Sequence, residues 1–283
     1  LPVSIRSLWT LSRPGNVFIT ALSVIIGGQL ATRTWFFDSG NLWIAALAAA
    51  LIAAGGNAYN DYCDRDLDRL QKPQRPLPSG QISPRAARNW AMVCLALGIA
   101  LSLLLSPLCS LIASSAALLL VLYSRYFKGA PLLGNIVVAL VAGLAFIFGA
   151  AAIGFARSAL WAAWLAFCYH LAREIIKDME DFSGDRAAGA RTLPVRYGLR
   201  VGRWVTSLVL LVLLVSLPLP HFLTNYKIYY LAVVLSGVLP VLLAVAILQW
   251  FWSQPPQFHR LSSWLKWDML VGLCALLIGK PDL

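Results

Sequence analysis

Charged side chains are scarce in this chain. Asp, Glu, Lys and Arg make up 12% of its 283 residues, whereas 59% are hydrophobic. A soluble domain carries about 25% charge, so a water-soluble fold is excluded and an integral membrane protein is predicted. Histidine is nearly absent. His170, His221 and His259 stand far apart, which places each at an interface or in packing rather than in a catalytic set. Cys63, Cys94, Cys109, Cys168 and Cys274 form no C-x2-C pair, so neither a disulfide framework nor a zinc site is expected. Strand-like alternation is missing, which argues against a membrane β-barrel. The net charge of +11 comes without a soluble basic domain, so nucleic acid is not an expected partner. Basic loops facing anionic lipid are the simpler account. The sequence predicts no cleavable leader, the first span serving as anchor, and its start at Leu1 predicts that some native N-terminal sequence precedes it.

What the chain has in abundance is long apolar runs. A bilayer-spanning helix needs roughly 20 mainly apolar residues. Nine such segments are predicted, at about 15–32, 42–63, 86–106, 108–126, 132–154, 158–179, 201–219, 228–250 and 262–279. The expected fold is an all-α polytopic membrane bundle of one domain over 1–283, with an internal duplication marked by motifs at 60–68 and 177–185. With a cytoplasmic N-terminus, nineteen Lys and Arg residues fall on the cytoplasmic side, and only Arg33, Arg157, Lys227 and Lys280 fall on the other. That asymmetry supports both the span count and the orientation.

The acids are more uneven still. Nine of twelve lie in two clusters: Asp61, Asp64, Asp66 and Asp68, then Glu174, Asp178, Glu180, Asp181 and Asp185; only Asp38, Asp268 and Asp282 lie elsewhere. Asp61, Asp64 and Asp68 are spaced i, i+3, i+7, so a helix would present them on one face. Asp178, Asp181 and Asp185 repeat that spacing, and each set follows an apolar run. Each also leads into a similar tail, Arg75-Pro76-Leu77-Pro78 and Arg191-Thr192-Leu193-Pro194. Six carboxylates on facing helix ends would repel one another unless cations lie between them. Oxygen-rich, partly open sites suit Mg²⁺, which binds through a few carboxylates plus substrate phosphates. Arg75, Lys128, Lys177 and Arg191 flank the clusters and are the expected diphosphate binders, as guanidinium forks and ammonium charges usually are. Such a site would stabilise departing pyrophosphate. An apolar bundle behind it would hold a hydrocarbon tail, and the two together describe a polyprenyl diphosphate.

Asn60-Asp61-x2-Asp64-x3-Asp68 resembles the first signature of the UbiA-type intramembrane prenyltransferases, and Lys177-Asp178-x2-Asp181-x2-Gly184-Asp185 resembles the second. The resemblance runs along the whole chain. It implies a helical bundle around a central cavity under a cytoplasmic cap. Two Mg²⁺ ions would bridge the clusters to a prenyl diphosphate, whose ionisation gives an allylic cation for an acceptor to capture. It makes Asp64, Asp68, Asp181 and Asp185 the expected catalytic carboxylates, with Asn60 in the first metal set. Asp61 and Asp178 are either ligands or partners of ligands. Lys128 matches the family's diphosphate-binding lysine, with Tyr123 as a nearby partner, and aromatic side chains are expected to shield the cation.

One position departs from the family pattern. Many members carry Tyr four residues before the lysine of the second motif, where this chain has Arg173. An added cation there suits an acceptor bearing a phosphate, although a salt bridge to Glu174 or a membrane-surface anchor would also explain it. The run Arg173-Glu174-Ile175-Ile176-Lys177-Asp178 resembles the branch of the family that makes archaeal-type ether lipid. So do Asn57-Ala58-Tyr59-Asn60-Asp61-Tyr62, Arg75-Pro76-Leu77-Pro78-Ser79-Gly80 and Arg13-Pro14-Gly15-Asn16. That branch implies geranylgeranyl diphosphate as donor and geranylgeranylglyceryl phosphate as acceptor. The alternative is an aromatic acceptor such as 4-hydroxybenzoate, dihydroxynaphthoate, homogentisate or a chlorophyllide-like ring. A transporter would place its ionisable residues near the midplane rather than at span ends. The aspartate pattern of the CDP-alcohol phosphotransferases is absent.

Overall fold

A computed structural model describes residues 4–32 and 39–281. Arg33, Asp38 and Asp282, which entered the charge distribution above, lie outside the described residues. Everything regular within them is helical. A short helix α1 (Ile5–Ser12) leads into α2 (Pro14–Leu30), α3 (Gly40–Cys63) and the short α4 (Arg65–Gln71). Next come α5 (Pro84–Leu103), α6 (Pro107–Leu122), α7 (Leu133–Ala152), α8 (Leu160–Glu180) and the short α9 (Phe182–Ala187) and α10 (Leu193–Tyr197). The chain closes with α11 (Leu199–Ser216), α12 (Leu219–Thr224), α13 (Ile228–Val233), α14 (Leu239–Phe251) and α15 (Pro255–Ile278).

Local chemistry accounts for the helix starts. Pro14, Pro84, Pro107 and Pro255 each stand in a first turn, where a missing N–H costs nothing. Ser83 and Ser106 accept from the N–H groups of Ala86 and Cys109, at 3.2 and 3.1 Å, and so cap α5 and α6. The second cap makes the short turn between these helices a true break. Gln254 and Gln257 cap the start of α15 reciprocally. The last turn of α6 widens into a π turn over Tyr123–Phe127, and α13 joins α14 through another over Val234–Val238. Single π turns inside helices often mark functional positions, and the first delivers the chain to Lys128.

Among the described residues, seven helices are long and apolar enough to cross a membrane. Two further predicted spans fall on α2 and α8. The first is apolar but only 17 residues long; at 1.5 Å per residue it covers about 26 Å. The second has the length, but Arg173, Glu174, Lys177 and Asp178 charge its final turns.

The chain divides into two compact units. One gathers the described residues of 1–31, 35–127 and 144–157; the other gathers those of 32–34, 128–143 and 158–283. In the first, α3 is central and packs against α1, α2, α5 and α6. Here α2 and the end of α7 touch backbone to backbone: a Cβ at Gly27 would strike the backbone of Phe146, and one at Gly149 that of Val24. Small residues permit such close crossings in membranes. In the second unit α8 is central, flanked by α10, α11 and α15. Each acidic motif thus ends the central helix of its own unit.

Candidate active site

The two motifs end their helices by one backbone device. Asp64 closes α3 and opens α4 at φ −83°, ψ 0°. Asp181 closes α8 and opens α9 at φ −84°, ψ 4°. An α-helix needs ψ near −42°, so each aspartate bends the axis without breaking the hydrogen-bond ladder. The N–H of Asp64 still reaches the Asn60 carbonyl at 2.9 Å, and that of Asp68 reaches Asp64 at 2.8 Å. The N–H groups of Asp181 and Asp185 likewise reach Lys177 and Asp181, both at 2.9 Å. One aspartate therefore lies a turn before each bend, one at it and one a turn beyond.

In the first cluster, Asn60, Asp61 and Asp68 are buried. The chain turns back after α4 and lays the Arg75 guanidinium across the carboxylates, 2.6 Å from Asp68 and 3.4 Å from Asp61. Arg13, from the turn between α1 and α2, bonds Asp61 and lies 3.3 Å from the Asn60 amide oxygen. The Asn60 amide nitrogen is buried without a partner. Asp64 is half-buried at the bend. Structure thus brings the predicted Asn60, Asp61, Asp64, Asp68 and Arg75 to one helix end, and adds Arg13.

The second cluster is compensated one turn lower. Glu174, buried, takes Lys177 at 3.0 Å and Arg173 at 3.0 Å. The Arg173 Nε also donates to the Ser262 carbonyl of α15 at 3.2 Å. The salt bridge to Glu174 anticipated for Arg173 is therefore present. Asp178 accepts from Asn135 of α7 at 2.9 Å, a neutral partner. Asp181 and Asp185 are half-buried at and beyond the bend. Glu180, beside the motif, takes His259 at 2.8 Å and the Ser262 hydroxyl at 3.3 Å, which joins α8 to the start of α15. The Arg191 side chain is exposed, while its backbone N–H reaches the Gly129 carbonyl at 3.0 Å. That bond ties the Lys128 loop to the tail of the second motif. Tyr123 and Lys128 are partly buried, at opposite ends of the π turn that closes α6.

Among the described residues, no three carboxylate, imidazole or thiol groups are grouped closely enough to hold a metal by themselves. Each helix end instead offers aspartates at i and i+4, at 64 and 68 and at 181 and 185. That donor set fits Mg²⁺, which keeps several waters and takes one or two carboxylates plus phosphate oxygens.

An all-helical membrane bundle whose central helices end in paired carboxylates, beside basic loops, is the architecture of an intramembrane prenyltransferase. The model of the UbiA prenyltransferase family matches residues 21–265, and the chain belongs to that family. It is 38% identical to digeranylgeranylglyceryl phosphate synthase of Methanopyrus kandleri, over 96% of this chain and 98% of that one. A solved structure of digeranylgeranylglyceryl phosphate synthase matches with a TM-score of 0.81 and 27% identity, over 99% of each chain. A UbiA homologue from Archaeoglobus fulgidus bound to GPP and Mg²⁺ shares the fold, with a TM-score of 0.64 and 18% identity over 94% of this chain and 99% of that one.

Proposed function

We propose that this protein transfers a geranylgeranyl group from its diphosphate to the hydroxyl of geranylgeranylglyceryl phosphate, a Mg²⁺-dependent step of ether-lipid synthesis. The observation that carries this reading is the end-to-end relationship to a digeranylgeranylglyceryl phosphate synthase. The cationic end of α8 supports it. Arg173 uses two of its donor groups on Ser262 and Glu174, and a guanidinium has five N–H donors. Donors remain for the phosphate of the acceptor.

Asp64, Asp68, Asp181 and Asp185, with Asn60 and Asp178, would hold Mg²⁺. When bound, the metal supplies charge neutralisation for departing pyrophosphate. Lys128, Arg191, Arg75 and Lys177 would bind diphosphate oxygens, with Tyr123 orienting Lys128. The bond between C1 of the prenyl chain and the diphosphate breaks, the diphosphate leaves with the electron pair, the glycerol oxygen bonds C1, and its proton passes to the released diphosphate. Apolar helices exclude water, which would otherwise capture the cation. The concentration of Lys and Arg in the loops on one side of the predicted spans supports a cytoplasmic N-terminus and a cytoplasmic site. The two motifs are copies of one unit within a single domain.

Labelled geranylgeranyl diphosphate offered with geranylgeranylglyceryl phosphate and with the aromatic acceptors named above tests the reading, with mass spectrometry of the products. Transfer to the lipid phosphate is expected. Transfer to an aromatic ring alone would overturn it.

A further inference from the structure

Asp61 and Asp178 open their motifs in the same register and meet opposite partners. Asp178 accepts from the neutral amide of Asn135 at 2.9 Å. Asp61 is 4% exposed, and a single oxygen, Oδ1, bonds Arg13 and lies 3.4 Å from Arg75. A divalent cation approaching that oxygen would have to displace two guanidiniums in a site with little water to screen them. Asp64 is half-buried at the bend, and Asp68 meets one guanidinium, that of Arg75 at Oδ2, where Asp61 meets two.

Arg13 reaches Asp61 from a turn held on two sides. It is the single residue between α1 and Pro14, and it adopts φ 53°, ψ 71°. That left-handed conformation is uncommon for a side chain with a Cβ. The preceding Ser12 fixes the turn: its carbonyl accepts from Asn57 of α3 at 3.0 Å, and its hydroxyl accepts from Trp90 of α5 at 3.1 Å. With one residue between the helices there is little slack, so the guanidinium is aimed before any ligand arrives. It lies 3.3 Å from the Asn60 oxygen as well as bonding Asp61.

We propose that Asp61 is the counter-ion of the Arg13–Arg75 pair rather than a metal ligand, and that Arg13 is a positioning residue that fixes Asn60 and the carboxylates of the first motif for Mg²⁺. The proposal rests on the reading that Asp64 and Asp68 are ligands.

Mn²⁺ titrated into the purified full-length protein in detergent with saturating inorganic pyrophosphate, which supplies the phosphate oxygens of the site, followed by electron paramagnetic resonance with neither substrate present, tests it. Asp61→Asn should keep the stoichiometry of bound Mn²⁺ and change affinity by no more than the roughly 10-fold to 100-fold of a group behind the ligands. Asp64→Asn should lose one bound ion. Arg13→Gln should change Mn²⁺ affinity, Arg13→Lys should restore most of it, and the Arg13→Gln change should vanish in an Asp61→Asn background, as coupling through one pair requires. Melting curves identify variants that fail to fold, and the isosteric Asp61→Asn single and double variants keep the test open if Arg13→Gln is one of them. Loss of an ion in Asp61→Asn, or an Arg13→Gln effect that persists without Asp61, would overturn the proposal. Unchanged Mn²⁺ binding in Asp64→Asn would instead overturn the ligand reading beneath it. Acceptor identity enters neither measurement.

Discussion

The ends of α3 and α8 share a backbone and differ in how they balance charge. Both bend at the middle aspartate with ψ near zero, and both continue into a short helix carrying the last one. At the end of α3, Arg13 and Arg75 lie directly on Asp61 and Asp68. At the end of α8, Arg173 and Lys177 lie on Glu174, one turn below Asp178. The tails diverge in the same way. Arg75 folds back on its own cluster, whereas Arg191 turns its side chain outward and uses its backbone to hold Gly129. Backbone geometry is alike where the carboxylates stand, and side-chain partners differ where each cluster is held. At the first end two arginines bond aspartates of the motif, and at the second Arg173 and Lys177 bond a glutamate one turn before it.

The largest expected effect tests whether the two bends are equivalent. Asp64→Ala and Asp181→Ala should each lower transfer by at least about 10²–10³-fold, the loss expected when one preorganised electrostatic group is removed. Both proteins should stay inserted and folded, because half-buried residues at helix ends contribute little packing. Rates measured with saturating donor and Mg²⁺ check this. Losses that differ by more than about tenfold would show that the shared backbone hides unequal roles, and full activity in either would remove that bend from the site. Chelation by EDTA should stop turnover in the parent protein, and excess Mg²⁺ should restore it.

A smaller effect separates the two tails. Arg75→Ala strips a cation from two buried carboxylates and should destabilise the fold by about 3 kcal/mol, the lower part of the range for breaking a buried pair. Arg191→Ala removes an exposed side chain and keeps the backbone bond to Gly129, so its stability should stay within about 0.5 kcal/mol of the parent. Thermal melts in one detergent decide between them. A destabilised Arg191→Ala would show that the tails are alike after all, and a neutral Arg75→Ala would show that the first cluster does not depend on its own arginine.

How much of this was readable in the chain follows from the range of the interactions. The i, i+3, i+7 spacing places three aspartates on one helical face, and local geometry alone puts them at the ends of α3 and α8. Arg75 and Arg191 look interchangeable because Arg-x-Leu-Pro is a local pattern, whereas the direction of each side chain is set by what packs around the tail. Arg13 is harder. Its contact with Asp61 spans 48 residues, and its left-handed backbone is imposed by Ser12 contacts with two other helices. A signal was nevertheless present. Arg13-Pro14-Gly15-Asn16 and Leu132-Leu133-Gly134-Asn135 both place Gly-Asn at the start of an apolar run, and both open on a residue with positive φ, 53° and 62°. At each motif this turn supplies a partner of the first aspartate, Arg13 at one and Asn135 at the other. Arg173 was legible as an added cation, but its hold on the Ser262 carbonyl depends on α15, 89 residues away.

The smallest effect concerns that second turn. Asn135 donates one hydrogen bond to Asp178 across the packing of α7 on α8. A side-chain hydrogen bond contributes about 0.5–1.5 kcal/mol, and Asp178 is half-buried, so Asn135→Ala should cost about 1 kcal/mol. The loss should disappear in an Asp178→Ala background, because the partner is then gone. Asn135→Asp should be worse than Asn135→Ala, since it sets a second carboxylate against the first. Melting temperatures of the three variants and the parent are sufficient. If Asn135→Asp proves neutral, a cation already lies between the two positions, and the end of α8 would be balanced as directly as the end of α3. If it is destabilising and added Mg²⁺ or Mn²⁺ reverses the loss, the charge at Asp178 awaits a metal where Asp61 has its arginines.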